Sequence, residues 1–319
     1  MIKTRLTEKF DLKHPIIQAP MAFAAGGKLA SAVTAAGGLG LIGGGYGDED
    51  WLNAQFEAAG NQSVGCGFIT WSLKQKPHLL DMMLDRNPAA IFLSFDDPEP
   101  LNETIKAAKI PFICQVQTLR DAKHAIDLGA DVIVAQGSEA GGHGEKRATM
   151  TLVPEVADFI AVNAPDVVLC AAGGIADGRG LAASLALGAD GVLIGSRFWA
   201  TSEALVHPDM LNAAVKADGD DTIRSKVVDV VRGYPWPERY DARVLQNAFI
   251  DKWHGDINGL KQTPEASQKW IEGWAAGDPK AANTFVGEAT GLINNVKPAA
   301  DIVDAIVTQA EQILAKRYE

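Results

Sequence analysis

Eight short apolar, β-branched runs recur through the first two-thirds of the chain at a spacing of about 25 residues, the length of one strand–helix unit. They are Pro15–Gln18, Leu39–Ile42, Val64–Ile69, Ala89–Ser94, Phe112–Val116, Val132–Ala135, Val167–Ala171 and Val192–Ile194. Several are apolar throughout, as in Val132-Ile133-Val134-Ala135, instead of alternating with polar residues. Such strands are buried on both faces, which a parallel sheet clothed in helices achieves and a half-solvated antiparallel sheet does not. The segments between them carry helical spacing, for example Lys28–Ala36, Leu119–Leu128, Leu152–Val162 and Gly178–Leu187. Two of these helices share the ending Leu-Gly-Ala-Asp, at 128–131 and 187–190, with glycine where a helix closes in a left-handed cap. A doubly wound open sheet has the same periodicity. Eight units within about 190 residues instead predict an α/β fold of the (β/α)8 TIM-barrel type.

Past Phe198 the pattern changes to charged segments, the proline-rich Tyr234-Pro235-Trp236-Pro237 and a last helical stretch from about Pro298 to Lys316. Residues 1–202 are therefore assigned to the barrel, 203–297 to an additional helical insertion or cap, and 298–319 to a C-terminal helix that packs back on the barrel. Trp236, Trp253, Trp270 and Trp274 in this region suit either a substrate pocket or helix packing.

Composition removes several classes. Lysine and arginine number 29 against 40 aspartates and glutamates, a net charge of −11 that offers nucleic acid or an anionic membrane no attractive surface. Cys66, Cys114 and Cys170 are dispersed and show no CxxC spacing, which argues against a disulfide framework or a zinc knuckle and suits a reducing compartment. The N-terminus lacks an apolar signal core, and no uninterrupted apolar stretch reaches the roughly 18 residues of a membrane helix, so a cytoplasmic protein is expected.

In a barrel the chemistry belongs to loops after the strand C-termini, with phosphate bound after the last two barrel strands. Glycines stand there: Ala171-Ala172-Gly173-Gly174-Ile175, then Asp177-Gly178-Arg179-Gly180 opening a helix, and Ile194-Gly195-Ser196-Arg197. Glycine lets backbone N–H groups approach a phosphate, the helix start adds a favourable dipole, and Ser196 adds a hydroxyl. A phosphorylated cofactor or substrate follows. Gly38-Leu39-Gly40-Leu41-Ile42-Gly43 also matches GxGxxG, but its centre is itself a strand and no helix opens after it, so it is not a dinucleotide site. The densest cluster is Gln136-Gly-Ser-Glu-Ala-Gly-Gly-His143-Gly-Glu145. An imidazole among glycines at a strand end is a candidate general base, because it titrates near neutrality and substrate can come close. The other five histidines have no such setting, and no metal-ligand spacing or GxSxG nucleophile motif is present.

Four segments together resemble the nitronate monooxygenase family: Pro15-Ile-Ile-Gln-Ala-Pro-Met21, Ser31 through Gly40, Gln136 through His143, and Ala171 through Phe198. Gly287-Glu-Ala-Thr-Gly-Leu-Ile293 is similar to the family's C-terminal segment. The resemblance implies FMN on a (β/α)8 barrel, its phosphate on Gly174, Gly195 and Ser196. Ala19 and Met21 would offer backbone contacts at the reactive flavin edge, and Gln115, Gln136 and Gly141 occupy positions that touch the flavin. His143 matches the family's catalytic histidine, which takes the α-proton of a neutral nitroalkane or helps hold a preformed nitronate. FMN then accepts an electron, oxygen reacts, and a carbonyl compound and nitrite result. The partners implied are an alkyl nitronate or nitroalkane and O2, and the oligomer to test for is a homodimer.

The chain departs from the family pattern in three places. Gly144-Glu145 stands where many relatives place arginine, an acid that disfavours an anionic substrate unless Lys146 or Arg147 offsets it. Gly67 stands where relatives often present asparagine. Thr149-Met-Thr-Leu-Val-Pro154 is similar to the flavin-dependent enoyl-acyl-carrier-protein reductases, so an FMN enzyme reducing enoyl thioesters or quinones with NAD(P)H is the alternative. A non-redox barrel binding a phosphosugar or nucleotide is the alternative from outside the flavin enzymes.

Overall fold

A computed structural model describes residues 2–316. Its strands, in chain order, are β1 (Ile16–Gln18), β2 (Leu41–Gly45), β3 (Gly65–Ile69), β4 (Ile91–Ser94), β5 (Phe112–Val116), β6 (Val132–Gln136), β7 (Gly142–Gly144), β8 (Val168–Ala172), β9 (Gly191–Ile194), β10 (Thr222–Ser225) and β11 (Asp241–Leu245). Eight of them form one parallel sheet in the order β1-β9-β8-β6-β5-β4-β3-β2. The ends meet through Ile17 and Leu39, where Gln18 N–H donates to the Leu39 carbonyl and Leu39 N–H to that of Ile16, each at 2.9 Å. The sheet is thus a (β/α)8 barrel whose eight strands each overlap one of the eight runs of the sequence, the second displaced from Leu39–Ile42 to Leu41–Gly45.

Every residue of these eight strands is buried, as continuous apolar runs require, and the two faces separate with period two. Ile17, Leu41, Phe92, Ile113, Val132, Val134, Val168, Cys170 and Leu193 fill the interior together with Leu6 of the helix Arg5–Phe10. The alternate residues, among them Ile91, Leu93, Phe112, Cys114, Ile133, Leu169 and Ile194, face the helices. Gly129 and Gly188 end their helices at φ of 88° and 95°, the left-handed geometry the repeated Leu-Gly-Ala-Asp predicts. The GxGxxG decoy has a packing explanation: a Cβ on Gly40 would lie 1.9 Å from the Ala30 carbonyl oxygen of the helix Gly27–Ala35.

The eighth outer helix is delivered late. After β9 the chain makes a single turn, Ser196–Trp199, leaves the barrel, and returns as the helix Ala299–Leu314, which buries Ile302, Val303, Ile306 and Val307. It packs on the helix Gly178–Ala186, where a Cβ on Gly178 would meet the Ile306 carbonyl at 2.5 Å. The intervening segment is not purely helical, as its composition suggested. β10 and β11 lie within it and pair antiparallel, and β11 also pairs with β7 of the barrel loop, setting Ala242 opposite His143. The cap has its own apolar core around Val227, Val228, Val231, Val244, Ile250, Trp253 and Trp270. Trp253 and Trp270 are therefore packing residues.

Candidate active site

A cavity of about 490 Å³ opens at the C-terminal ends of the barrel strands, within the ~300–1,000 Å³ range of ligand pockets. It is floored by the barrel loops and roofed by the cap. All nine residues singled out in the sequence line it: Ala19, Met21, Gln115, Gln136, Gly141, His143, Gly174, Gly195 and Ser196.

The floor is built largely from backbone. Gly173 and Gly174 sit at φ of 105° and 71°, which side-chain-bearing residues adopt at a cost. Among the described residues, the N–H groups of Gly174, which is exposed, and of the half-buried Gly195 and Ser196 have no protein acceptor, and all three residues line the cavity. The Ser196 hydroxyl accepts from Gly287 N–H at 2.9 Å, so its own proton is left to donate elsewhere. The helix start at Gly178 is already engaged: Asp177 caps it by accepting from the N–H groups of Arg179 and Gly180, and Gly178 N–H donates to Gln309. The expected dipole contribution from that helix is therefore answered by Asp177, and the unpaired donors that line the cavity are those of the two turns. Ala19 N–H donates to Ile194 and Met21 N–H to Ala19, so these two residues present the cavity with side-chain wall and not with free donors. Gln115 is buried, lines the cavity and makes no side-chain hydrogen bond among the described residues. Gln136 is tied in, accepting from Gln117 at 2.8 Å and donating to the His143 carbonyl at 3.2 Å.

His143 is held from both sides. Its backbone is strand β7, and a Cβ on Gly141 just before it would lie 2.5 Å from the Gly287 backbone, so the loop can approach the cap only as glycine. Nε2 lies 2.9 Å from Asp229 Oδ1, with both side chains 7% exposed. Trp236 stacks on the imidazole, centroids 3.3 Å apart and planes within 6°, and the indole N–H donates to the Tyr46 hydroxyl at 3.2 Å. Asp229 Oδ1 also accepts from Arg232 Nη2 at 3.1 Å. The Arg232 guanidinium is packed 5.0 Å from the Tyr234 and Phe285 rings, and it is a cation that lines the cavity. Burial lowers the His143 pKa below its ordinary value; Asp229 opposes this, while Arg232 and Arg224 reinforce it. The imidazole is neutral at pH 7, the form in which it accepts a proton.

Two cap arginines fix the loop between Gln136 and His143. Arg224 and Arg243 both donate to the Ser138 carbonyl, and burial together with Arg243 pushes the Arg224 pKa down to about 10. Phe23 and Phe95 line the cavity in left-handed backbone, at φ of 64° and 65°. Non-glycine residues held there concentrate at functional sites.

The sequence departures acquire physical accounts. Glu145 is neutralised by Arg239 of the cap, 2.6 Å away, and not by Lys146 or Arg147. Arg147 instead pairs with Glu155. A Cβ on Gly67 would lie 2.3 Å from Pro20 Cγ, so no larger residue fits there. Thr149 anchors a turn: its hydroxyl donates to Glu139, whose carboxylate also accepts from Thr149 N–H and caps the helix Thr149–Asn163.

Asp229 and Arg232 were not identified from the sequence, and Trp236 only as one of four candidates. A signal for Asp229 existed: it is a lone acid inside Val227-Val228-Asp229-Val230-Val231, an apolar run that would otherwise be core.

The fold is that of an α/β-barrel enzyme with its main described cavity at the strand C-termini. The family described as nitronate monooxygenase matches residues 3–64 and 69–309, and the chain belongs to that family of flavin-dependent oxidoreductases. It is 33% identical to the nitronate monooxygenase of Neurospora crassa over 98% of this chain and 94% of that one. It is 36% identical to the nitronate monooxygenase npaC of Metarhizium robertsii over 94% of this chain and 91% of that one. Among solved structures, FabK from Thermotoga maritima matches with a TM-score of 0.85 and 30% identity over 98% of both chains. Among the described residues, no helix is long and apolar enough to cross a membrane.

Proposed function

We propose that the protein is an FMN-dependent nitronate monooxygenase that converts alkyl nitronates and O2 to carbonyl compounds and nitrite. What carries this reading is a neutral, carboxylate-bonded imidazole in the same cavity as two glycine turns with free N–H donors. FMN would supply the electron chemistry between nitronate and oxygen, for which no side chain is suited. The N–H groups of Gly174, Gly195 and Ser196, with the Ser196 hydroxyl, are the donors for its phosphate. Gln115 has a free carboxamide for the polar edge of the ring system, and Ala19, Met21, Gln136 and Gly141 enclose it.

The protein's own residues hold charge and move one proton. His143 takes the α-proton of a neutral nitroalkane. The imidazolium so formed is flanked by Asp229 and the Trp236 face, and the new nitronate is its counter-ion. With a preformed nitronate no proton needs to move, and Arg232 supplies the positive charge that faces the anion.

Oxygen uptake by the FMN-loaded protein with an alkyl nitronate tests this reading. Uptake with nitrite release and no requirement for NAD(P)H is expected. Absence of uptake from a flavin-replete sample overturns it. Bleaching of the flavin by NAD(P)H without oxygen would then point to the reductase that Thr149–Pro154 raises. The contacts of Thr149 give that segment a structural role in supporting the Gly173 turn.

A further inference from the structure

We infer that Asp229 is a positioning residue: it fixes the tautomer of His143 with the proton on Nε2, so that Nδ1 is the basic atom. The inference rests on the reading of His143 as the base for neutral nitroalkanes.

The first support is directional. Asp229 Oδ1 faces Arg232 Nη2 at 3.1 Å and His143 Nε2 at 2.9 Å. A guanidinium can only donate, so it holds the opposing carboxylate as an acceptor. A carboxylate that accepts from both partners requires a hydrogen on Nε2. The lone pair is then on Nδ1, which has no hydrogen-bond partner among the described residues and is not sealed from solvent, on a side chain that lines the cavity.

The second support is orientational. The His143 backbone is pinned in β7 opposite Ala242, and its carbonyl accepts from Gln136. The parallel indole of Trp236 lies over one face of the ring, and the Phe95 ring meets it edge-on at 6.1 Å. Backbone, ring plane and ring proton are thus set by separate partners. Only Asp229 sets the proton. The charged groups that act on the imidazole are Asp229 and Arg232 of the helix Val227–Arg232 and Arg224 of β10. Asp229 is the sole anion of the three and favours the protonated ring that proton abstraction creates.

Asp229 belongs to the cap and His143 to the barrel loop, so the competent base exists only when the two are seated together through β7 and β11.

Long-range ¹H–¹⁵N spectra of ring-labelled histidine in the flavin-loaded protein test this without recourse to activity, with His143→Gln identifying the signal. The wild type is expected to show the Nε2–H tautomer. A wild-type spectrum dominated by Nδ1–H overturns the proposal, whatever the variants do. Asp229→Asn keeps the shape but can donate as well as accept, so a tautomer mixture is expected. Its turnover of a neutral nitroalkane should fall about tenfold or more, by a larger factor than nitronate oxidation, and with the acid limb of its pH profile at lower pH. Asp229→Glu, which restores the carboxylate, should recover part of the loss. Unaltered tautomer and pH profile in Asp229→Asn overturn the proposal while leaving His143 as base. If His143→Ala itself does not distinguish neutral nitroalkane from nitronate, it is the underlying reading that fails.

Discussion

The floor and the roof of the cavity are made in different ways. The floor consists of barrel loops and presents backbone: glycines at positive φ, free N–H groups after β8 and β9, and a turn after β1 in which the Ala19 and Met21 N–H groups are already bonded to carbonyls of Ile194 and Ala19. The roof consists of cap segments and presents side chains: Asp229 and Arg232 from one helix, Trp236 from the proline-flanked strap, and Arg224 and Arg243 reaching down to the Ser138 carbonyl. A backbone site depends on glycines at fixed places in a repeat, and a repeat is visible in a sequence. A side-chain site depends on which residue folds against which, here across 86 positions between His143 and Asp229, and nothing local records it. On our assignment, then, the floor holds the cofactor and the roof tunes the base.

The largest expected effect separates these two jobs. His143→Ala should leave FMN bound, because the floor donors are untouched, yet slow neutral nitroalkanes by about 10²- to 10⁴-fold, the usual contribution of a general base. Preformed nitronates, already deprotonated, should lose much less. Steady-state rates with both substrates on the same flavin-replete preparation read this directly, and equal losses would remove His143 from the role of base.

Next in size is the converse change on the floor. Gly174→Val puts a β-branched residue at φ of 71°, where even an unbranched side chain costs about 1–2 kcal/mol, and covers free N–H donors. FMN affinity is expected to fall by about tenfold or more, while added FMN restores the nitroalkane-to-nitronate ratio of the wild type. Equilibrium dialysis against FMN checks the affinity. A variant that keeps stoichiometric flavin through gel filtration would falsify the phosphate assignment. Gly195 makes a useful contrast: a Cβ there meets only Ala19 and Met21 at 3.8 and 3.9 Å, so Gly195→Ala should be milder.

The same contrast explains what was legible. Strand positions and the glycine turns follow from repeating local patterns with period two, 3.6 or about 25, and the barrel follows from the count of eight units, since an open sheet has the same periods. His143 stood out because it is framed by glycines. The helix start at Gly178 was misread because Asp177 can be a free acid or a cap, and only the folded turn decides. Glu145 looked unpaired because its partner Arg239 lies beyond the sequence neighbourhood, across the cap. The strands of the cap were missed because β10 and β11 are short and charged, with Arg224, Asp241 and Arg243 among nine residues. They are stable through pairing with each other and with β7, a tertiary effect that local propensity does not carry.

A third, smaller effect comes from pH. Burial lowers the His143 pKa, so the folded protein keeps the ring neutral at pH values where an unfolded chain, titrating near 6.5, takes up a proton. In that window the unfolded state binds more protons, and stability therefore falls as pH drops below about 6.5 and is regained as it rises. His14 is also buried and shifted the same way, so the diagnostic quantity is the difference between wild type and His143→Ala. The variant should show the shallower decline in denaturation midpoint between about pH 7.5 and 5.5. Nitroalkane turnover by the wild type should meanwhile persist below pH 6.5, because the base is still neutral there. A steeper loss of stability in the variant would mean that Asp229 outweighs burial.

The smallest effect tests whether the roof also acts at a distance. Arg239 bonds Glu145 and Asp121 but does not line the cavity, and its side chain is 37% exposed. Partly exposed pairs of this kind contribute about 0–1 kcal/mol, so Arg239→Ala should barely move stability. It does leave the Glu145 carboxylate uncompensated two residues from His143, where its field opposes an approaching anion. The expected result is a KM for nitronate raised by about twofold, little change with a neutral nitroalkane, and recovery of the difference at high salt, where the field is screened. Equal changes for both substrates, or a nitronate effect indifferent to salt, would mean that Arg239 works by holding the β7–β11 junction in place and not by charge. The roof would then be a scaffold around one charged cluster, with the electrostatic tuning confined to Asp229 and Arg232.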